Sequence, residues 1–311
     1  MNVLLTGANG FLGSRLTQCL DEHSSFHLTS VVRKGLLFRG AHTVEINALD
    51  DTTDWSSALL NQEVIIHTAA RAHIMKDELS DPLAEYRSVN VVGTLNLARQ
   101  AAKAGVKRFI FISSIKVNGE STKDGVPFTA DDQPAPEDAY GVSKMEAEIE
   151  LKSVAAETGM ELVIIRPPLV YGPGVKGNFA SLVKLVRKEL PLPLGAVHNK
   201  RSLISLDNLV DLIITCVDHP SAANQTFLAS DGEDQSTTEL LRGVAKAMGC
   251  RPRLIPVPAG VLVFGASVMG KKDVAKRILG SLQVDISKTR DLLQWQPLLT
   301  VEEGLAKAVG N

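Results

Sequence analysis

Residues 2–22 read NVLLTGANGFLGSRLTQCLDE. The segment Asn2–Thr6 indicates a short buried strand, and Phe11–Glu22 carries apolar residues at the spacing of an amphipathic helix. A glycine-rich turn joins the two segments. A strand, a tight turn and a helix in this order predict the first βα unit of a parallel sheet.

The rest of the first half repeats this alternation of strands and helices. Four further runs have the continuous apolar character of buried parallel strands, namely Leu28–Val32, Val64–Thr68, Phe109–Ser113 and Leu162–Ile165. Helical stretches lie between them, including Val89–Ala104 and Tyr140–Glu157. The fold class we expect is α/β, a Rossmann-type doubly wound parallel sheet.

A change of composition after Arg166 predicts a second, smaller α/β lobe that binds substrate. Proline and glycine become frequent there, beginning with the stretch PPLVYGPG at residues 167–174. We expect residues 1–168 to form the dinucleotide-binding domain, joined again by about 203–228. Residues 169–202 and 229–311 would form the substrate lobe.

Composition narrows the classes of function. The chain has 311 residues, and its 33 basic and 35 acidic side chains give a net charge of −2, so no nucleic-acid partner is expected. The three cysteines are far apart and suggest neither disulfides nor a metal site. The longest apolar run, 259–269, is too short to span a bilayer, so no membrane insertion is expected. With no visible export signal, we expect a cytoplasmic enzyme.

The glycine-rich turn predicts a dinucleotide site. Glycines at this position permit a tight turn, let the backbone approach a pyrophosphate and bring the helix N-terminus towards its charge. The cofactor contacts predicted in this turn are Gly7, Asn9, Gly10, Phe11, Leu12 and Gly13.

The end of the second strand bears on which dinucleotide is bound. An acidic residue there usually accepts a hydrogen bond from the ribose 2′-OH of NAD. This chain has Arg33 and Lys34 instead, and a guanidinium suits a 2′-phosphate. We therefore expect NADP(H) in preference to NAD(H), with NAD(H) possible.

Three side chains form a predicted catalytic group. Tyr140 and Lys144 stand four residues apart at the start of a helix and so share one face. Beside a nicotinamide, the ammonium would lower the pKa of the phenol and make it a usable acid and base. Ser114, at the end of a strand, is the hydroxyl expected on the substrate oxygen, and Ser113 is the alternative because adjacent strand residues face opposite ways.

Six motifs together resemble the extended short-chain dehydrogenase/reductases of the epimerase/dehydratase type: TGANGFLG, HTAA, SVNVVGTLNL, FISSIKVNG, YGVSK and RPPLVYGPG. The chain is most similar in pattern to the branch that contains UDP-galactose 4-epimerase and bacterial UDP-4-keto-6-deoxy-hexosamine 4-reductases. The resemblance extends over nearly the whole chain.

That resemblance implies further site residues and a partner. Its cofactor contacts are Thr68, Ala69, Ala70, Asn90 and Pro167, together with Tyr140 and Lys144. Its contacts to a UDP-sugar are Ser114, Asn178, Arg201 and Arg277, with the arginines on the diphosphate. It also implies a homodimer formed through the Tyr140 helix and the helix before it.

One departure from the family pattern bears on the reaction. Sugar-nucleotide dehydratases carry an Asp-Glu pair where this chain has Ile115 and Lys116, so elimination of water is not expected. We expect NAD(P)H-dependent reduction of the C4 keto group of a UDP-linked 4-keto-6-deoxy-N-acetylhexosamine for surface-polysaccharide synthesis. The alternatives are a UDP-hexose or UDP-N-acetylhexosamine 4-epimerase and a non-catalytic NADP-binding protein.

Overall fold

The secondary structure alternates as the sequence predicts. The computed structural model describes residues 1–310 except 36, 37, 39, 41, 73–80, 124 and 271, and describes the backbone alone at residues 178 and 272–274. The strands are β1 (Asn2–Thr6), β2 (His27–Arg33), β3 (Thr43–Ile46), β4 (Val64–His67), β5 (Arg108–Ile112), β6 (Glu161–Arg166), β7 (Leu169–Tyr171), β8 (Leu203–Ser205) and β9 (Gln225–Leu228).

The α-helices are α1 (Phe11–Glu22), α2 (Pro82–Arg87), α3 (Thr94–Lys103), α4 (Ala139–Thr158), α5 (Asn178–Arg187), α6 (Leu206–Asp218), α7 (Thr237–Ala247), α8 (Ala259–Val268), α9 (Lys272–Leu279), α10 (Ser287–Leu293) and α11 (Val301–Val309). A π-helix at Ser88–Gly93 runs directly into α3, and 3₁₀ turns lie at Ile115–Val117 and Pro220–Ala222.

Seven strands form one parallel sheet in the order β3-β2-β1-β4-β5-β6-β9. The predicted Rossmann-type fold is confirmed. The order reverses at β1, because the chain first builds outward through β2 and β3 and then returns to β4 on the other side. Ligands bind doubly wound sheets at such a reversal, beyond the carboxyl ends of the strands.

Successive apolar side chains of β1 point to opposite faces of the sheet and pack into the core on both sides. Val3 and Leu5 belong to a cluster with residues of α1 and α6, while Leu4 belongs to a second cluster with residues of α3 and α4. All three side chains are fully buried. Burial on both faces explains why the central strands read as continuous apolar runs.

Two strands of the sheet were absent from the prediction. β3 has only four residues, and its side chains are exposed or half-buried, so it lacks the apolar run that identifies a central strand. β9 is equally short and begins with a glutamine. Both strands lie at the edges of the sheet, where the apolar signal is weakest.

The C-terminal part contains a separate small parallel sheet of β7 and β8. A third apolar cluster lies beside it, with Tyr171 and Phe179 stacked at 5.4 Å among residues of α7 and α11. The domain limits at 168, 203 and 228 stay predictions, although β9 does return to the large sheet. None of the helices in the described residues is long and apolar enough to cross a membrane.

Candidate active site

The glycine turn after β1 leaves no room for a side chain at Gly7 or Gly13. Gly7 has φ +70°, and a Cβ at Gly13 would lie 2.0 Å from the carbonyl oxygen of Gly7. The helix α1 then begins at Phe11 behind Gly10, which offers no side chain to cap it. The first backbone amides of α1 therefore have no side-chain cap and lie beyond the carboxyl end of β1. This arrangement fits the pyrophosphate of a dinucleotide.

Thr68, Ala69 and Ala70 follow β4, the strand next to β1, and lie beside this turn. A Cβ at Gly7 would stand 2.8 Å from both the Ala69 nitrogen and the Thr68 hydroxyl. The Thr68 hydroxyl donates to the Thr6 carbonyl oxygen over 2.7 Å. The predicted cofactor residues of the two strand ends are therefore adjacent.

His67, the last residue of β4, supports these strand ends from within the core. It is fully buried, and its two ring nitrogens are hydrogen-bonded to the hydroxyls of Thr6, at 2.7 Å, and Thr94, at 3.0 Å. Burial lowers the pKa of His67 to about 3, so the ring is neutral. The histidine is a core residue and takes no part in proton transfer.

Asn90 lies in the π-helix and joins two segments of the site. Its side-chain oxygen accepts from the Arg71 amide at 2.8 Å, and its nitrogen donates to the Arg71 carbonyl and to the Ser143 hydroxyl, at 3.1 and 3.0 Å. Ser143 precedes Lys144 on α4. Asn90 therefore holds the backbone at Arg71 against the start of α4, while its predicted contact with the cofactor stays a prediction. The π-helix itself gave no signal in the sequence, although such bulges are frequent at functional sites.

Lys144 connects α4 to the end of β5. Its ammonium donates to the Ile112 carbonyl over 2.7 Å and lies 4.4 Å from the centre of the Phe111 ring. Lys144 is almost fully buried, and that burial lowers its pKa to about 7. Ser114 lies two residues beyond Ile112. The lysine and the serine are therefore brought to the same strand end.

Tyr140 lies in the first turn of α4, half-buried against Tyr86, with the ring centres 5.9 Å apart. Burial raises the pKa of Tyr140, and the nearby Asp138 carboxylate adds to the rise. The protein alone does not lower this pKa. The predicted lowering would need the Lys144 ammonium together with the positive ring of a bound nicotinamide.

The two serines after β5 have different surroundings. The Ser113 hydroxyl donates to Glu148 over 2.5 Å and is buried. The Ser114 hydroxyl is half-buried and accepts from the Lys116 amide at 3.3 Å, at the start of the 3₁₀ turn. Ser113 is thus held in the interior, and Ser114 is the more accessible of the two hydroxyls.

Behind Ser113 lies a buried ionic network that sequence reasoning missed. Arg166, at the end of β6, makes two bonds to Glu148 of α4, at 2.9 and 2.5 Å, and a third to the side-chain oxygen of Asn118 at 3.0 Å. Glu148 and Arg166 are each 2% exposed. The network fixes α4 against the ends of β5 and β6, from which the site is built.

Lys116, which replaces a dehydratase carboxylate, is held by acidic neighbours. It pairs with Glu120 at 2.9 Å and with Asp138, the N-cap of α4. The pKa of Lys116 is raised by these two carboxylates against an opposing effect of burial. A charged lysine here offers no base for elimination of water, in agreement with the expectation from sequence.

The predicted diphosphate arginines lie together in the C-terminal part. Arg201 donates through Nη1 to the carbonyl oxygens of Arg277 and Gly280, both at 3.0 Å. Arg277 is exposed on α9. Asn178 begins α5, and its side chain lies outside the described residues.

Arg33 and Pro167, the remaining predicted residues, lie at the carboxyl ends of β2 and β6. Arg33 is exposed at the end of β2, and Pro167 is buried after β6, where its carbonyl accepts from the Ile115 amide at 3.0 Å. Among the described residues, no three His, Cys, Asp or Glu side chains are grouped so as to hold a metal ion.

Comparison with known proteins assigns this arrangement to a family. The NAD dependent epimerase/dehydratase family matches residues 3–229, from the first strand to the last strand of the large sheet. The chain belongs to this family. The resemblance to extended short-chain dehydrogenase/reductases of the epimerase/dehydratase type is thereby confirmed.

Several members of the family are similar along almost their whole length. UDP-glucose 4-epimerase of Vibrio cholerae is 51% identical over 304 residues, which is 97% of this chain and 93% of that protein. N-acetyl-alpha-D-glucosaminyl-diphospho-ditrans,octacis-undecaprenol 4-epimerase of Escherichia coli O157:H7 is 30% identical, covering 84% of this chain and 77% of that protein.

Solved structures of family members have the same fold. UDP-glucose 4-epimerase of Thermotoga maritima, determined with UDP-glucose, superposes with a TM-score of 0.78 at 24% identity, covering 99% of this chain and 97% of that one. MoeE5, determined with UDP-glucose and NAD, gives a TM-score of 0.77 at 26% identity, with coverages of 99% and 97%.

These relatives correct the expected reaction. Reduction of a 4-keto sugar was the wrong choice, because the relative at 51% identity is a 4-epimerase. The absence of the Asp-Glu pair separates this chain from dehydratases, but reductases and epimerases use the same serine, tyrosine and lysine. Motif spacing therefore favoured neither of the two reactions.

Proposed function

We propose that this protein is a 4-epimerase of a UDP-hexose or a UDP-N-acetylhexosamine. The observation that carries the proposal is the 51% identity to a UDP-glucose 4-epimerase over 97% of the chain. The presence of Ser114, Tyr140 and Lys144, with Ser114 and Lys144 at one strand end, supports it and argues against a non-catalytic NADP-binding protein.

The chain's own residues would manage the proton at the sugar O4. A bound NAD would supply the hydride acceptor and donor for chemistry at C4. Tyr140 would take the O4 proton as hydride leaves and return it afterwards, while Ser114 holds the same oxygen. Lys144, fixed by the Ile112 carbonyl, would place its positive charge near the phenol and favour its ionised form.

The buried surroundings of the group suit this task. Lys144 and Ser143 are buried, and Tyr86 covers one side of Tyr140. Exclusion of water strengthens the interaction between the ammonium and the phenolate and protects a transient keto sugar from side reactions.

The retained cofactor is proposed to be NAD. MoeE5 and the UDP-glucuronic acid 4-epimerase of Bacillus cereus have been determined with NAD. The exposed Arg33 still predicts acceptance of a 2′-phosphate, and NADP stays a prediction for that reason. Denaturing the purified protein and identifying the released dinucleotide distinguishes the two.

The substrate diphosphate would lie against the C-terminal part. Arg201 donates to the backbone carbonyl oxygen of Arg277, and burial lowers the pKa of Arg201. An incoming diphosphate would compensate that buried charge. Asn178 is a further contact proposed from the family resemblance alone.

A homodimer through α4 and the preceding helical segment is also proposed. Ile149 of α4 and Val92 of the π-helix are large apolar side chains that are exposed in the single chain. Pairing with a second copy would remove them from water. Sedimentation of the wild type and an Ile149→Glu variant tests this arrangement.

The test of the proposed function is interconversion without added dinucleotide. Purified protein is incubated separately with UDP-glucose and with UDP-N-acetylglucosamine, and the 4-epimers are separated by chromatography. We expect at least one pair to reach equilibrium and Tyr140→Phe to abolish the reaction. Failure of both pairs, or full activity of Tyr140→Phe, contradicts the proposal.

A further inference from the structure

The helix α8 is apolar, yet none of its residues is buried. Val261, Phe264 and Val268 are spaced three and four residues apart, so they lie along one side of the helix. These three side chains, here called the α8 face, are 58%, 71% and 73% exposed. The neighbouring Met269 is exposed as well. A patch of this kind marks an interaction surface.

The charges around the α8 face are strongly one-sided. The segment from Arg251 to Leu279 contains six basic residues and one acidic residue, a net charge of +5 within a chain of net charge −2. Arg251 and Arg253 before the helix, and Lys276 and Arg277 after it, are exposed. The α8 face is therefore flanked on both sides in sequence by cations.

We propose that the α8 face docks on the surface of an anionic phospholipid membrane. A ten-residue helix is far too short to span a bilayer, but it can lie in the interface with its apolar side chains among the acyl chains. Lysines and arginines beside such a helix are attracted to anionic headgroups. In this arrangement the apolar side chains contact the acyl chains, and the excess of positive charge faces the anionic headgroups.

A second copy of the chain suits the α8 face less well. A twofold interface brings a patch against itself, so the two positively charged segments would face each other. Like charges across an interface oppose association. An anionic lipid surface relieves this repulsion, whereas self-association increases it.

The docking surface connects to the proposed active site through α9. Lys276 pairs with Glu137 at 2.7 Å, three residues before Tyr140, and the Arg277 carbonyl accepts from Arg201. Docking would therefore hold the substrate side of the enzyme near the bilayer. The enzyme would then exchange its sugar nucleotide with reactions that transfer sugars at the membrane.

Co-sedimentation with vesicles tests the proposal. The full-length protein is mixed with phosphatidylethanolamine vesicles containing one quarter phosphatidylglycerol, and in parallel with neutral phosphatidylcholine vesicles. We expect binding to the anionic vesicles that weakens with added salt. Val261→Ser/Phe264→Ser/Val268→Ser should reduce the partition coefficient on the order of tenfold or more. Arg251→Gln/Arg253→Gln should reduce it about 30-fold.

A matched control replaces three apolar residues of similar exposure elsewhere. Leu60, Val126 and Leu298 are 72%, 61% and 65% exposed, and their triple serine variant should bind vesicles like the wild type. The α8 variant should retain epimerisation of soluble UDP-sugars at the wild-type rate. Vesicle binding is measured without substrate, so it can succeed or fail independently of the proposed reaction.

Three results would overturn the docking proposal. The first is no binding to anionic vesicles, and the second is equal loss of binding in the α8 variant and its control. The third is conversion of a dimer to a monomer by the α8 substitutions with no vesicle binding by the wild type, which would assign the face to contact between copies.

Discussion

Replacement of Arg166 by methionine tests the buried network behind the active site. The change removes three hydrogen bonds and leaves the Glu148 carboxylate with its hydrogen bond from the Ser113 hydroxyl, at 2.5 Å. Both ionic partners are 2% exposed, so water cannot take the place of the guanidinium. Loss of one partner from a buried pair costs about 3–5 kcal/mol in the free energy of unfolding.

Urea unfolding of the wild type and Arg166→Met, followed by fluorescence, gives that difference directly. The double variant Glu148→Leu/Arg166→Met removes both charges and should recover most of the loss, since no unpaired charge remains. The control is Arg87→Met, which breaks the ion pair with Glu146 on the same helix α4. Its side chains are 49% and 26% exposed, so water can reach both, and the unfolding midpoint should stay near that of the wild type.

The outcome that refutes this reasoning is a small effect. If Arg166→Met unfolds at the same urea concentration as Arg87→Met, the buried pair does not stabilise the junction of α4, β5 and β6. A double variant less stable than Arg166→Met would likewise show that the network contributes more than the compensation of one charge.

Three further predictions concern the strand ends. Gly13→Ala should lose the copurified dinucleotide, because its Cβ would lie 2.0 Å from the Gly7 oxygen, whereas Gly260→Ala, with open space around it, should retain the dinucleotide. His67 binds a proton near pH 6.5 when unfolded and near pH 3 when folded, so protonation favours the unfolded state and stability falls as the pH is lowered. From pH 7 to pH 5, the free energy of unfolding of the wild type should therefore fall by about 2 kcal/mol more than that of His67→Asn in urea titrations, and equal losses would contradict this. Ser114→Ala should lower kcat about 100-fold, whereas Ser113→Ala, which loses its bond to Glu148, should mainly lower the urea midpoint; the reverse pattern would exchange their roles.

The first βα unit was predictable because each of its parts has a strong local signal. Val3, Leu4 and Leu5 are all buried, so the strand is continuously apolar, and the helix bounds Phe11–Glu22 agree with the prediction. The central strands share that burial on both faces. The edge strand β3 is short and partly exposed, and β9 is short and pairs with β6, which is distant in sequence.

Contacts between residues far apart in the sequence could not be predicted. Glu148 and Arg166 are ordinary charged residues in the sequence, and only folding brings them into a buried pair. The π-helix around Asn90 depends on close packing, since a Cβ at Gly93 would lie 2.5 Å from the Leu49 oxygen. The net charge of −2 for the whole chain also does not reveal the segment of net charge +5 around α8.

Transfer of hydride within a single retained cofactor is the central claim, and a C4-deuterated UDP-sugar tests it most directly. The protein is incubated with the labelled sugar and excess unlabelled NAD and NADP, and the products are examined by mass spectrometry and NMR. The account predicts a 4-epimer that keeps its deuterium at C4, with no label in the free dinucleotides. Deuterium in the free dinucleotides, or a sugar that is not epimerised, would contradict it.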